Sequence, residues 1–147
     1  MTTLRELIQS TQRFKPKLFA NANSVEIKQT KITRARGVRT VLFSSVTKDQ
    51  GNPGRTAQIM FVASKGTDVK NYAPSISKDK ALVRSSSPWY RYAFQYNNQR
   101  VKAQYGRIKP FEVLGTGRPV NPGNYPGLDK HLIALVRALQ QHKLIRG

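Results

Sequence analysis

Near the start of the chain, Leu4, Leu7, Ile8 and Thr11 recur at three- and four-residue spacing. That period predicts a short amphipathic helix over 3–14. Thr3 followed by Glu6 has the form of a capping box, and Lys15-Pro16 stops the helix. Residues 17–23 read as an extended loop. The period then changes to two: Val25 and Ile27 alternate with Glu26 and Lys28, which predicts a strand over 25–32. After a basic bend at 33–39, the β-rich runs 40–46 and 56–63 flank Asp49, Gly51, Asn52, Pro53 and Gly54. Two such runs around a turn cluster predict a hairpin with a long tip over 47–55.

Residues 65–87 show no clear period, and short ordered pieces are expected only near 69–72 and 81–83. The sharpest alternation follows. Period two puts Tyr90, Tyr92, Phe94 and Tyr96 on one face, and Trp89, Arg91, Ala93 and Gln95 on the other. With a turn at 97–99 and a return over 100–105, this predicts a second hairpin. A short strand is expected at 111–114 and a Gly/Pro loop at 115–127. Leu128, Leu132, Leu135, Val136 and Leu139 then predict a final helix over 128–143, with Asp129 as N-cap or first-turn carboxylate. The order helix, hairpin, hairpin, helix gives an α+β class. Antiparallel β-hairpins form a sheet, with a short N-terminal helix and a C-terminal amphipathic helix packed on it. The 147 residues suit one domain: an N-terminal helix and arm at 1–23, a β-rich body at 24–114, and a loop with the C-terminal helix at 115–147.

Charge changes this picture. Twenty-six Lys and Arg face seven Asp and Glu, a formal net charge of +19. Such a chain attracts polyanions or acidic protein surfaces. Without cysteine it has no disulfide, thiolate nucleophile or thiolate metal site. No apolar run is long enough to cross a membrane as a helix, and the first residues lack a secretory pattern, so no membrane partner is expected.

Catalytic patterns are missing. The seven acids are scattered, and neither a phosphate-binding Gly loop nor a nucleophile elbow occurs. His131 and His142 would lie about 16 Å apart along one helix, too far to share a metal. We therefore expect no enzyme, no catalytic or metal residue and no cofactor. The expected contacts to a partner or nucleic acid are Lys28, Lys31, Arg34, Arg36 and Arg39, with Arg91 and Arg100 beside the aromatic strand. Its ladder reads either as a base-stacking platform or as the core side of the sheet.

One stretch carries a family resemblance. Pro126-Gly127-Leu128-Asp129-Lys130-His131-Leu132 opens the last helix. It resembles the Cys-x-His half of a SWIM-type zinc finger, as found after an aromatic-rich hairpin in structural proteins of tailed-bacteriophage virions. Tyr105-Gly106-Arg107 stands where the Cys-x-Cys half would be. Tyr105, Arg107 and Asp129 then replace the thiolates and only His131 remains, a relic that cannot close a tetrahedral zinc site. The resemblance implies a non-enzymatic structural component of a tailed-phage virion, in the head, neck, tail or baseplate. It would dock on other virion subunits through acidic surfaces, with packaged DNA as a further partner. Loops 47–55 and 65–87 and the arms would make intersubunit contacts. An Arg107–Asp129 salt bridge would stand in for the metal, and His131 would point at the hairpin or bond a backbone carbonyl or Tyr105. The alternatives are a nucleic-acid-binding protein, ribosome-associated or single-strand-binding, and a small host-directed phage protein that acts by binding.

Overall fold

The computed structural model describes residues 1–106, 121 and 123–147. Arg107, the 111–114 strand expectation and most of the 115–127 loop lie outside these residues. Helix α1 spans Leu4–Phe14, and its capping box closes in both directions: the Glu6 N–H donates to Thr3 Oγ1 and the Thr3 N–H to Glu6 Oε1. Leu4 and Leu7 are fully buried. Residues 17–23 are not an extended loop. They form α2 (Lys17–Asn21) and enter a 3-10 turn (Ala22–Ser24). Pro16 has φ −59°, so the residue that stops α1 also starts α2.

Strands β1 (Val25–Ala35), β2 (Thr40–Asp49), β3 (Arg55–Val62) and β4 (Lys80–Ser85) form one antiparallel sheet in sequence order. The predicted α+β class is observed. Strand β1 runs further than the sequence indicates because of a bulge at Lys28: Ile27 pairs with Thr47 and Gln29 with Val46. One extra residue reverses the alternation, so Val25 and Ile27 share a face with Thr30, Ile32 and Arg34. The core face of the sheet carries Val41, Phe43, Ile59, Phe61, Ala81 and Val83, all fully buried. Phe43 and Phe61 meet edge to face at 6.0 Å. Helix α5 (Lys130–Gln141) covers this face with Leu132, Leu135 and Leu139.

The second hairpin does not exist. Residues 88–100 are helical throughout: α3 (Pro88–Tyr90), a π-helical turn (Arg91–Gln95) and α4 (Tyr96–Arg100). The expected β-rich body over 24–114 therefore contains a helical segment. An aromatic at every second position also repeats at every fourth, and four residues is about one helical turn. Tyr90 and Phe94 form the inward side and are fully buried, while Tyr92 and Tyr96 are 56% and 47% exposed. Both halves of the ladder reading fail, because the four rings never share a face. The Tyr90 hydroxyl donates to Gln104 at 2.6 Å and takes the Asn98 amide at 3.0 Å. Asn98 also exchanges two 2.8 Å bonds with the Gly127 backbone, fixing the approach to α5. A Cβ on Gly127 would stand 2.6 Å from Thr11 Oγ1 and 2.7 Å from the Phe94 ring, so this close approach requires glycine. Phe14 gathers Trp89, Phe94 and Tyr125 around itself at centroid distances of 5.5–6.5 Å.

The two edges of the sheet differ. Ala81 N–H donates to Thr2 O, Val83 N–H to Ala103 O, and Tyr105 N–H to Val83 O, which covers the outer side of β4. Among the described residues, β2 is the only strand that pairs with β1. Residues 65–87, read as loop apart from short pieces near 69–72 and 81–83, contain a 3-10 turn (Val69–Asn71) and β4, and the C-terminus bonds to this span: Ile76 N–H donates to Arg146 O and Arg146 N–H to Pro74 O.

Candidate functional site: a polar cleft at the start of the last helix

Along the core face of β2, the side chains change from Val41 and Phe43 to Ser45, Thr47 and Asp49, all buried. On β4 the same face ends in Ser85, and Ser87 follows. A sheet face that turns polar while still covered needs polar partners from the element above it. The first turn of α5 supplies them. The Asp129 carboxylate is the N-cap, accepting the Leu132 N–H at 2.9 Å and the Ser85 hydroxyl at 2.6 Å. It is 1% exposed, and burial pushes its carboxyl above the ordinary carboxylate range.

His131 is 4% exposed, with Nδ1 2.8 Å from Thr47 Oγ1. Burial lowers its pKa and favours the neutral ring. Lys130 pairs with Asp49, which also accepts the Ser24 hydroxyl at 3.0 Å. The Lys130 bond holds Asp49 below the usual carboxylate range. These residues border a cleft of about 320 Å³, whose remaining wall includes Lys15, Arg55 and Trp89. Lys15 Nζ lies 5.2 Å over the Trp89 ring.

A hydroxyl, an imidazole and a carboxylate are thus close neighbours, yet they do not form a relay. Both oxygens of Asp129 are engaged by Ser85 and by the helix N-terminus, so the carboxylate does not orient His131 against Thr47. Among the described residues no group of three or more His, Cys, Asp or Glu side chains is placed to hold a metal. The cleft thus presents cations, two carboxylates and an imidazole at a partly enclosed surface.

Of the three relic positions among the described residues, the structure brings two together. Asp129 and His131 share the cleft, whereas Tyr105 runs beside β4 with its N–H on Val83 O. The expected link from His131 to Tyr105 or a backbone carbonyl is replaced by the link to Thr47. The first arm and turn of the hairpin that would present the other half of the finger are helix instead. The expected Arg107–Asp129 salt bridge lies outside the described residues.

The predicted basic contacts divide by role. Lys28, Lys31 and Arg36 are exposed on β1 and its turn, and Lys28 makes a 3.1 Å pair with Glu26. Arg34 is occupied internally, donating to Val69 O at 2.7 Å and Tyr72 O at 2.6 Å. Arg39 sits in the turn at φ 52° with Nε 3.4 Å from Ala63 O. Arg91 and Arg100 are exposed on the helical stretch after β4, and Arg100 donates to Asn124 O at 2.9 Å.

Sequence reading missed Lys15, Thr47, Asp49, Arg55, Ser85 and Trp89 as parts of one site. The available signal was Thr47 and Asp49 continuing the Val41–Phe43 face at period two. No family model, curated protein or solved structure matches the chain.

Proposed function

We propose that this protein is a non-enzymatic docking component of a larger assembly, using a basic surface against an acidic protein partner. One observation carries the reading: the positive charge is not neutralised internally. Of seven acidic residues, Glu26 and Asp49 are the ones ion-paired among the described residues, against 26 Lys and Arg in the chain. Strand β1 adds a surface suited to contact, because among the described residues no strand pairs with its outer edge, and Lys28, Lys31 and Arg36 are exposed on it and on the turn that follows. Partner subunits of a tailed-phage virion are the setting we propose, supported by the resemblance of residues 126–132. The nucleic-acid alternative now rests on charge alone, since its stacking platform is divided between core and solvent.

The test is a titration at several salt concentrations against duplex DNA, single-stranded DNA and poly-glutamate as a model acidic chain. Weak DNA binding at physiological salt is expected. Poly-glutamate binding is expected to weaken when Lys28, Lys31 and Arg36 are all changed to Gln. Tight DNA binding that falls steeply with salt would replace this reading with phosphate recognition. Mass spectrometry of particles from the producing host tests the setting: the chain should appear at a fixed copy number.

A further inference from the structure

We propose that the cleft at the start of α5 is a phosphate-binding site, with Lys15 and Arg55 as its donors and Nε2 of His131 as acceptor of the anion's O–H. The argument is separate from docking through β1 and uses no residue of that strand.

Three elements converge on the cleft, two bringing cations that no acid pairs among the described residues and one an imidazole. Lys15 comes from the joint between α1 and α2, Arg55 from the first residue of β3, and His131 from the first turn of α5. Neither Lys15 nor Arg55 has an acidic partner among the described residues. The two carboxylates at the cleft are already committed: Asp49 to Lys130 and Ser24, and Asp129 to Ser85 and the Leu132 N–H. An entering anion therefore meets cations whose charge is available and acids whose charge is compensated or hydrogen-bonded.

His131 supplies the second, independent observation. It is more than nine-tenths buried, its Nδ1 is held by Thr47, and its Nε2 has no protein partner among the described residues while the ring borders the cleft. Nε2 is not among the buried side-chain atoms left without a partner, so it is open to the cleft and can meet a ligand there. The Thr47 hydroxyl is also 3.3 Å from Arg55 O. Donating its proton there leaves Thr47 Oγ1 to accept an Nδ1–H. With burial favouring the neutral ring, Nε2 then keeps its lone pair and can accept the O–H of a protonated phosphate oxygen. The charged groups acting on this ring are Asp129 and Lys130 from α5, Asp49 from β2 and Arg55 from β3. A protonated phosphate offers acceptor oxygens to Lys15 and Arg55 and an O–H to Nε2, whereas an ionised carboxylate is an acceptor only. About 320 Å³ is enough for a phosphate with a small organic group.

The experiment follows the imidazole resonances of the full chain by NMR during titration with inorganic phosphate at constant ionic strength. A saturable shift of His131, with His142 unmoved, is expected. Arg55→Gln should weaken the binding about tenfold with the melting temperature unchanged, the loss expected for one charge-assisted contact. A trinucleotide with a 5′-phosphate, compared with its 5′-hydroxyl form, separates the sources. Tighter binding of the phosphorylated strand than of inorganic phosphate assigns the site to a strand end, and equal binding assigns it to free phosphate. The proposal is overturned if His131 shows no saturable shift by about 10 mM phosphate. It is equally overturned if both histidines respond alike, or if Arg55→Gln binds as tightly as the native chain.

Discussion

Asp129 shows how one side chain can both stabilise and cost. It caps α5 and satisfies Ser85, yet its charge is buried. Asp129→Ala removes the cap and leaves the Ser85 hydroxyl without its acceptor, so a loss of about 1–3 kcal/mol is expected in denaturant melts at pH 7. Asp129→Asn keeps an N-cap oxygen and removes the buried charge, so it should stay within about 1 kcal/mol of the native chain. His131 adds a pH dependence with a definite sign. Its folded pKa lies below the ordinary histidine value, so the unfolded chain binds the proton more readily. The stability it contributes is complete above roughly pH 6.5 and declines as pH falls below that value. Chemical denaturation at roughly pH 7 and pH 5 should show this loss, and His131→Asn should flatten it. A slope that His131→Asn leaves intact would assign the effect to another group.

The helical stretch 88–100 is the element where local pattern and structure part. An isolated alternation of aromatics favours a strand by propensity. Here the spacing of Tyr90 and Phe94 meets a cavity shaped by Phe14, Trp89 and the Gly127 backbone, and burial of that pair selects the helix. Two substitutions separate the accounts. Phe94→Ala should lose about 3–5 kcal/mol, as for a large aromatic taken from a core. Tyr92→Ala should change stability by no more than about 0.5 kcal/mol, as for an exposed position. A strand with all four rings on one buried face would make the two losses alike. By contrast, α1 and α5 were legible, because each combines helical spacing with a capping residue whose bond is local in sequence.

Across the whole molecule, self-repulsion is the dominant electrostatic term. A net charge of +19 on 147 residues opposes compaction, and the described ion pairs are few. Salt screens repulsion between exposed charges, with a Debye length of about 10 Å at 0.1 M. The melting temperature should therefore rise between low and physiological sodium chloride. A fall would mean that attractive pairs outweigh the repulsion. The bulge at Lys28 belongs to this scale as well, since a bulged, cationic edge resists pairing with a second copy of the same strand.

By itself the sequence determined the α+β class, the capped helices at both ends, the β2–β3 hairpin and the charge, because each depends on neighbours within a few residues or on composition. Tertiary structure decided the rest. Whether 88–100 became strand or helix depended on what Tyr90 and Phe94 packed against, residues far away in the chain. The cleft joins Lys15, Thr47, Asp49, Arg55, Ser85 and His131, which no local spacing connects. They meet because the polar end of a covered sheet face had to be satisfied, and the first turn of α5 was the element placed above it.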